Sequence, residues 1–279
     1  MPDKSQLPFL VKLLDDDSPS VRQHVLEQIL AYGPEIEDEI SQMEALLSNR
    51  QRSLLRSALT VQREAESRSN AWRAWPQLDD EHEKLEMAFE LLAQFQYGWS
   101  PPVKLGELLD ELASAFLLSG RPHDPTGLSR FLFVTEKFRG EVEDYHNPLN
   151  SNLIHVIQER RGIPITLTCV FMLVGARVGL MVEGCNVPGH FLARAVSNGE
   201  EVLFDCFNRG RVFTRADTVQ LRASLAPHMV HLLSEGASAE TIVSRVLRNM
   251  IHAYDQRGDH ERSVQARELL RDLQKHARL

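Results

Sequence analysis

Cysteine is scarce in this chain of 279 residues, and the three that occur, Cys169, Cys185 and Cys206, show no short repeated spacing. Such a set does not form a disulfide framework, so we expect reduced thiols and a cytoplasmic protein. The sequence also contains no C-x-x-C and no H-x-x-x-H pair, the spacings with which proteins usually hold zinc. We therefore expect no metal and no other cofactor.

Long hydrophobic runs are absent as well. The most apolar stretch, residues 163–180, contains Pro164, Arg177 and two threonines. This favours a buried core helix over a membrane span, which needs about 20 apolar residues. The first ten residues, "MPDKSQLPFL", lack a basic segment followed by an apolar one, so we expect no signal peptide.

An excess of positive charge is also lacking. The chain has 31 Lys and Arg against 39 Asp and Glu, a net charge of −8, and its basic residues are scattered among acidic ones. Nucleic acids and anionic membranes both attract a cationic surface. We therefore expect a protein or peptide partner, with no nucleic acid and no membrane.

Helical hairpins are predicted near both ends of the chain. Residues 19–30 follow the turn "DDDSP", in which Ser18 can cap a helix that begins at Pro19. This arrangement resembles one HEAT-type hairpin. Residues 239–276 carry apolar side chains at helical spacing on both sides of "RGDHE", and they resemble one tetratricopeptide-type hairpin. One hairpin is not a solenoid, so each is as compatible with packing as with peptide binding.

A buried helix followed by a β-hairpin is predicted in the second half of the chain. Asn150 can cap a helix that runs to about Arg161 and ends at Gly162, and Pro164 begins the next helix. That next helix is apolar almost all round, which places it at the centre of the domain. The segments "HFLARAV" and "VLFDCF" then alternate with a period of two around Asn198-Gly199, which predicts a hairpin.

The predicted hairpin brings His190 near Asp205. With a two-residue turn, Leu192 pairs with Asp205, and His190 lies diagonally from Asp205 on the same face. A carboxylate in that place orients an imidazole base and stabilises its charged form. A four-residue loop keeps this parity, whereas a loop of three or five residues breaks it unless a bulge intervenes. The alternative is a histidine that only begins a strand.

Three thiols are available as a nucleophile for such a pair. Cys169 lies in the second turn of the apolar helix, although thiolates form best in the first turn. Cys185 comes five residues before His190, and Cys206 points to the strand face opposite Asp205. Each is equally typical of a small buried apolar residue.

These residues carry a resemblance to a known family. Residues 80–215 resemble the SirB family of transglutaminase-like proteins, through landmarks that occur in order: Asn150 and Asn152, Arg160–Ile165, Gly179 and Leu180, Gly184, Pro188–Phe191, Asp205, Phe207 and Asn208, and Gly210. The hairpin that follows is similar to the tail of that family.

The resemblance implies a fold and a division of the chain. The fold is α+β and predominantly helical, with a transglutaminase- or papain-like core in which a small antiparallel sheet packs on a central buried helix between helical hairpins. The resemblance implies a transglutaminase-like core over residues 80–215 and a tetratricopeptide-like hairpin over 216–279, and the helical pattern before them predicts an N-terminal helical, HEAT-like segment over 1–75.

The resemblance also concerns the chemistry. The wider transglutaminase-like superfamily uses a Cys-His-Asp triad whose cysteine opens the central helix, and His190 and Asp205 match its last two members. Pro164 stands where the cysteine is expected, as it does in the SirB family, and proline is no nucleophile. Thr166 and Thr168 are near the same helix end, but an unactivated threonine is a poor nucleophile.

Two functions remain open from the sequence. The first is a protein-interaction or regulatory module that has lost thiol catalysis, with candidate binding residues Asn152, Arg161 and Asn208. The second is a cysteine-dependent hydrolase or transamidase in which Cys169 replaces the lost nucleophile beside His190 and Asp205. The two differ in whether Cys169 is accessible and adjacent to His190.

Overall fold

The computed structural model describes residues 6–32, 36, 39–40, 43, 47–98, 101, 103–197 and 199–276. The chain divides into two compact units, residues 1–71 and 72–279. Their main hydrophobic clusters have no residue in common. A mostly helical chain with one small antiparallel sheet confirms the predicted α+β class. The three-part division of the chain stays a prediction.

The first unit contains helices α1 (Leu7–Lys12), α2 (Pro19–Leu30) and most of α3 (Asn49–Ala74). Ser18 stands at the N-cap of α2, as predicted, but its hydroxyl lies 2.8 Å from the Ser20 hydroxyl and does not cap a backbone N–H. The buried cluster of this unit includes Leu7, Val11, Leu14, Val25, Ile29, Leu47 and Leu55.

The second unit adds eight helices within the described residues. These are α4 (Glu81–Tyr97), α5 (Leu105–Leu118), α6 (Pro125–Arg130), α7 (Leu153–Glu159), α8 (Pro164–Arg177), α9 (Arg215–Ser224), α10 (Ala239–Arg257) and α11 (His260–His276). A π-helical turn, Phe131–Thr135, follows α6. The sequence of residues 128–140 is compatible with either a helix or a strand, and the structure makes this stretch mainly helical.

Helix α7 is shorter than the sequence pattern predicts. Asn152, and not Asn150, is its N-cap, and its side-chain oxygen accepts from the backbone N–H groups of Ile154 and His155. Arg160 ends the helix in the left-handed conformation, two residues before the predicted stop at Gly162. Residues 161–162 are thereby released to form a short strand.

The strands form two sheets. Strands β1 (Arg139–Gly140) and β2 (Arg161–Gly162) pair in parallel. Strands β3 (Val182–Cys185), β4 (Leu192–Ser197), β5 (Glu200–Asp205) and β6 (Arg211–Val212) form an antiparallel sheet in that order. Ser197 pairs with Glu200 and Ala193 with Phe204, which is the register predicted for a two-residue turn. Asn198, in that turn, lies outside the described residues.

Helix α8 is the centre of the second unit. It packs against β3 and β4 and is surrounded by α4, α5, α6 and α7. The Phe171 ring meets the rings of Phe204 and Phe133 edge to face, at centroid distances of 5.3 and 6.0 Å. This confirms the prediction of a helix wrapped by other elements.

Helices α10 and α11 pack into the same core. Ile242, Val246 and Met250 of α10 belong to the cluster that surrounds α8. In α11, the Leu269 carbonyl accepts from the Trp72 indole at 3.2 Å. Gly258 forms the turn between the two helices with a left-handed φ of 72°. Among the described helices, none combines the length and apolar content that crossing a membrane would require.

Candidate functional site

A histidine and an aspartate meet at one end of the antiparallel sheet. The Nε2 atom of His190 lies 2.9 Å from Oδ2 of Asp205. Asp205 is the last residue of β5 and has a side chain that is only 6% exposed, whereas the His190 side chain is 31% exposed. The structure therefore brings together the two residues that the hairpin parity predicts to be close, with the imidazole open to solvent on one side.

Asn208 completes the hydrogen bonding of Asp205. Its backbone N–H donates to Oδ1 at 3.1 Å, and its side-chain Nδ2 donates to Oδ2 at 2.8 Å. Burial raises the pKa of Asp205, but the hydrogen bonds from His190 and Asn208 outweigh it and hold the pKa below its ordinary value. Asp205 is therefore a carboxylate at neutral pH, and it fixes the imidazole in place.

The turn that carries His190 is held by Arg245 of α10. The Nη1 atom of Arg245 donates to Oδ1 of Asn186 at 2.6 Å and to the Val187 carbonyl at 3.0 Å. The same guanidinium lies over the ring of Phe191, at 5.4 Å from its centroid. The sequence analysis missed Arg245, because nothing in the local pattern connects α10 to a turn some 55 residues earlier in the chain.

At the start of α8, the Thr166 hydroxyl is already hydrogen-bonded and both threonines are buried. Pro164 is the first residue of the helix and is partly exposed. The Thr166 hydroxyl accepts from the Ile163 N–H at 3.2 Å and lies 2.9 Å from the Asn150 carbonyl, to which it donates. Thr166 and Thr168 are both fully buried. Neither threonine is presented as a nucleophile.

All three thiols are sealed in the protein interior. Cys169, Cys185 and Cys206 have no solvent-exposed surface. Burial raises the pKa of Cys169 well above its ordinary value, and raises the pKa of Cys185 and of Cys206 to about 12. Since the thiolate is the nucleophilic form, none of the three is activated at neutral pH.

The start of α8 and the His190–Asp205 pair are linked through the short parallel sheet. Gly162, next to the helix start, pairs with Gly140, and the Gly140 N–H donates to the Phe207 carbonyl at 3.0 Å. Phe207 comes two residues after Asp205. A Cβ on Gly140 would lie 2.5 Å from the Phe207 ring, so only glycine permits this close contact.

The three residues expected to line a binding site are in different places. Asn208 contacts Asp205, as described above. Asn152 is 1% exposed and caps α7, and its Nδ2 atom has no hydrogen-bond partner among the described residues. Arg161 lies at the surface, where it donates to Glu141 at 3.3 Å. The structure brings only Asn208 to the His190–Asp205 pair.

A cationic cleft lies beside this pair. Two adjoining hollows of about 390 and 560 Å³ share Arg139, Arg161 and Arg209, and the smaller one is also lined by Phe207 and Asn208. We call the larger hollow the arginine cleft, after its basic residues Lys137, Arg139, Arg160, Arg161 and Arg209. In the described part of the chain, no group of three or more His, Cys, Asp or Glu side chains is arranged to hold a metal ion.

The comparisons with known proteins concern the second unit above all. The family described as the transglutaminase-like superfamily matches residues 103–248, which is more than half of the chain. The UPF0162 protein of Xylella fastidiosa (strain 9a5c) is 28% identical over 201 residues, which cover 66% of this chain and 69% of that protein. F-box only protein 21 of Mus musculus is 28% identical over 149 residues, which cover 50% of this chain and 23% of that protein. No solved structure matches the chain.

Proposed function

Because the chain belongs to the transglutaminase-like superfamily, we propose that it is a member without a thiol nucleophile whose site binds a protein or peptide partner. We also propose that it lies in the SirB branch of the superfamily, where proline likewise opens the central helix. The observation that carries the proposal is the combination of Pro164 at the first position of α8 with three cysteines that have no exposed surface.

In this proposal, the His190–Asp205 pair contributes to binding and not to a covalent reaction. An acyl-transfer enzyme needs an imidazole to activate a thiol, and the charged form of that imidazole to protonate the leaving group. Without a thiol, the partly exposed imidazole of His190 can still form a hydrogen bond to a ligand, and the carboxylate of Asp205 fixes the direction of that bond. Binding therefore uses the same geometry without a covalent step.

The similarity to a much longer protein supports a module. A stretch of 149 residues is shared with F-box only protein 21 of Mus musculus, in which it makes up 23% of the chain. A segment shared by two proteins of very different length is typical of a domain that recurs in different proteins. The proposal therefore concerns the shared segment alone.

A thiol hydrolase or transamidase that uses Cys169 is the second candidate, since the retained His190–Asp205 pair is what such an enzyme needs. The burial of Cys169 and its raised pKa weigh against it. Cys169 would have to leave the core before it could react, and α8 has side chains packed against it on every side.

Native thiol labelling tests the proposal. We expect iodoacetamide to label none of the three cysteines of the folded protein at neutral pH, and to label all three after unfolding in urea, as read from the intact mass. His190→Ala is the matched control and is expected to change nothing under native conditions. Labelling of Cys169 in the folded protein, at a rate that falls in His190→Ala, would establish the thiol enzyme instead.

A further inference from the structure

The arginine cleft is more positive than the protein around it. The whole chain carries a net charge of −8, yet the cleft is lined by five basic residues and only two carboxylates, Glu136 and Glu159. A cationic hollow on an acidic protein attracts anions locally while the rest of the surface repels them. The charge therefore marks this cleft as distinct from the surface as a whole.

Ion pairing within the protein leaves much of this charge unused. Arg160 lies 2.9 Å from Glu136, and Arg161 lies 3.3 Å from Glu141. Within the described residues, Lys137, Arg139 and Arg209 form no ion pair. Three cations without a carboxylate partner therefore border this hollow. Among its described lining residues, Glu159 is the one carboxylate without a cationic partner.

Three of the five basic residues in the cleft have an unusual backbone conformation. Lys137, Arg160 and Arg209 have φ angles of 61°, 57° and 56°, and no other non-glycine residue in the described ranges has a positive φ. This left-handed conformation costs about 1 kcal/mol or more for a residue with a Cβ, and glycine adopts it freely. The backbone conformation alone therefore does not explain why all three positions carry a long cationic side chain.

Two of the arginines are held side by side. Arg139 and Arg161 are directly paired in the parallel strands β1 and β2, and neighbouring strands lie about 4.8 Å apart. Arg161 has ion pairs with Glu141 and Glu143, at 3.3 and 3.9 Å, whereas Arg139 has none among the described residues, so an anion bound here would neutralise the charge of Arg139. A guanidinium group binds phosphate well because its flat fork of N–H donors forms two parallel hydrogen bonds to the phosphate oxygens.

We propose that the arginine cleft binds the dianionic phosphate monoester group of a ligand, through Arg139, Arg161 and Arg209. This deepens the proposed function and rests on it, since Asn208, which bonds Asp205, precedes Arg209 and lines the adjoining hollow. The hollow, at about 560 Å³, is larger than a single phosphate group requires. It also accommodates part of the group that carries the phosphate, against the exposed apolar side chain of Val134. That group is either a phosphorylated side chain or a small phosphate ester.

Calorimetric titration with phenyl phosphate tests the site itself. We expect binding at pH 7.5 that weakens with added salt, and that is weaker at pH 5 because the monoester then loses its second charge. Phenyl sulfate, which is only a monoanion, is the matched probe and is expected to bind more weakly. The variant Arg139→Gln/Arg209→Gln should lower the affinity for phenyl phosphate about tenfold or more, since charge-assisted hydrogen bonds are lost. Arg271→Gln, a single charge change on α11, should leave it within about twofold.

Two further ligands identify the source of the phosphate. Tighter binding of a phosphoserine peptide than of phenyl phosphate, with no binding of the unphosphorylated peptide, indicates a phosphorylated partner. Tighter binding of a nucleoside monophosphate indicates a small ester. If phenyl phosphate does not bind, or binds the double variant equally well while circular dichroism shows both proteins folded, the anion site is refuted. The thiol-labelling result is measured independently of this titration, so the failure of the anion site can be distinguished from the failure of the proposed function.

Discussion

At the scale of single residues, the site is organised around one carboxylate. Asp205 accepts one hydrogen bond from His190 and two from Asn208, so it fixes both neighbours. Arg245 fixes the turn from the other side. The sequence predicted the nearness of His190 and Asp205 because strand parity is a local rule. It could not predict Arg245, whose contact depends on how α10 packs.

Replacing this carboxylate should destabilise the protein. In Asp205→Asn, the new NH2 group faces a donor of Asn208 in either orientation, its Nδ2 in one and its backbone N–H in the other. We expect a loss of about 1–3 kcal/mol in the free energy of unfolding at pH 7, measured by urea denaturation. Asp79→Asn, an exposed carboxylate with no hydrogen bond described, is the control and should change little. Equal stability of Asp205→Asn and the parent protein would contradict the role given to this carboxylate.

The pH dependence of stability should report the same group. The pKa values of Asp205 and Glu141 are both held below their ordinary values, in each case by hydrogen bonds that outweigh burial. A lowered folded-state pKa stabilises the protein above the unfolded-state pKa of about 4. That stabilisation is lost as the pH falls below about 4 and through the folded-state values. We expect urea midpoints to fall in this acidic range, and to fall less steeply in Asp205→Asn. The same slope in both proteins would exclude a contribution from Asp205.

At the scale of secondary-structure elements, two short strands decide how the site is arranged. Strands β1 and β2 have two residues each, yet they connect the start of α8 to Phe207. The sequence predicted α8 and the hairpin because long periodic patterns are strong signals. It missed β1 and β2, since a two-residue strand has no period to detect. It also gave no sign of the arginine cleft, because residues 137–139, 160–161 and 209 meet only in the folded chain.

A glycine in β1 should be indispensable for this connection. In Gly140→Ala, the added Cβ would meet the Phe207 ring at 2.5 Å. We expect a loss of about 1–3 kcal/mol in the free energy of unfolding, because either the ring or the strand must move. Gly106→Ala in α5 is the contrast, since its Cβ would meet only the ends of two long side chains, Glu86 at 3.1 Å and Arg177 at 3.9 Å. There the higher helix propensity of alanine should offset the contact. The close packing of β1 on Phe207 is refuted if Gly140→Ala is no less stable than Gly106→Ala.

At the scale of the whole molecule, the C-terminal hairpin belongs to the core of the second unit. The sequence predicted the hairpin correctly, but its resemblance to an interaction repeat said nothing about where it packs. Met250, which has no exposed surface, lies in the cluster that surrounds α8. The first unit has a separate cluster around Ile29.

Core substitutions should therefore act within one unit. We expect Met250→Ala to cost about 2–5 kcal/mol and to speed amide hydrogen exchange in peptides from α4, α8 and α10. Peptides from residues 6–32 should exchange as in the parent protein. Ile29→Ala is the reciprocal control and should speed exchange only in the first unit, in residues 6–32 and 47–71. Faster exchange throughout the chain in both variants would contradict two separate cores.

The central proposal is that Pro164 stands where the nucleophile of a triad with His190 and Asp205 would be. Its most direct test is to restore a thiol there with Pro164→Cys and to measure the rate of iodoacetamide labelling at pH 7. We predict labelling at position 164 alone, about tenfold or more faster than in Pro164→Cys/His190→Ala, because a neighbouring imidazole favours the thiolate. Labelling at the same rate with and without His190, or no labelling of a folded Pro164→Cys protein, would contradict the account.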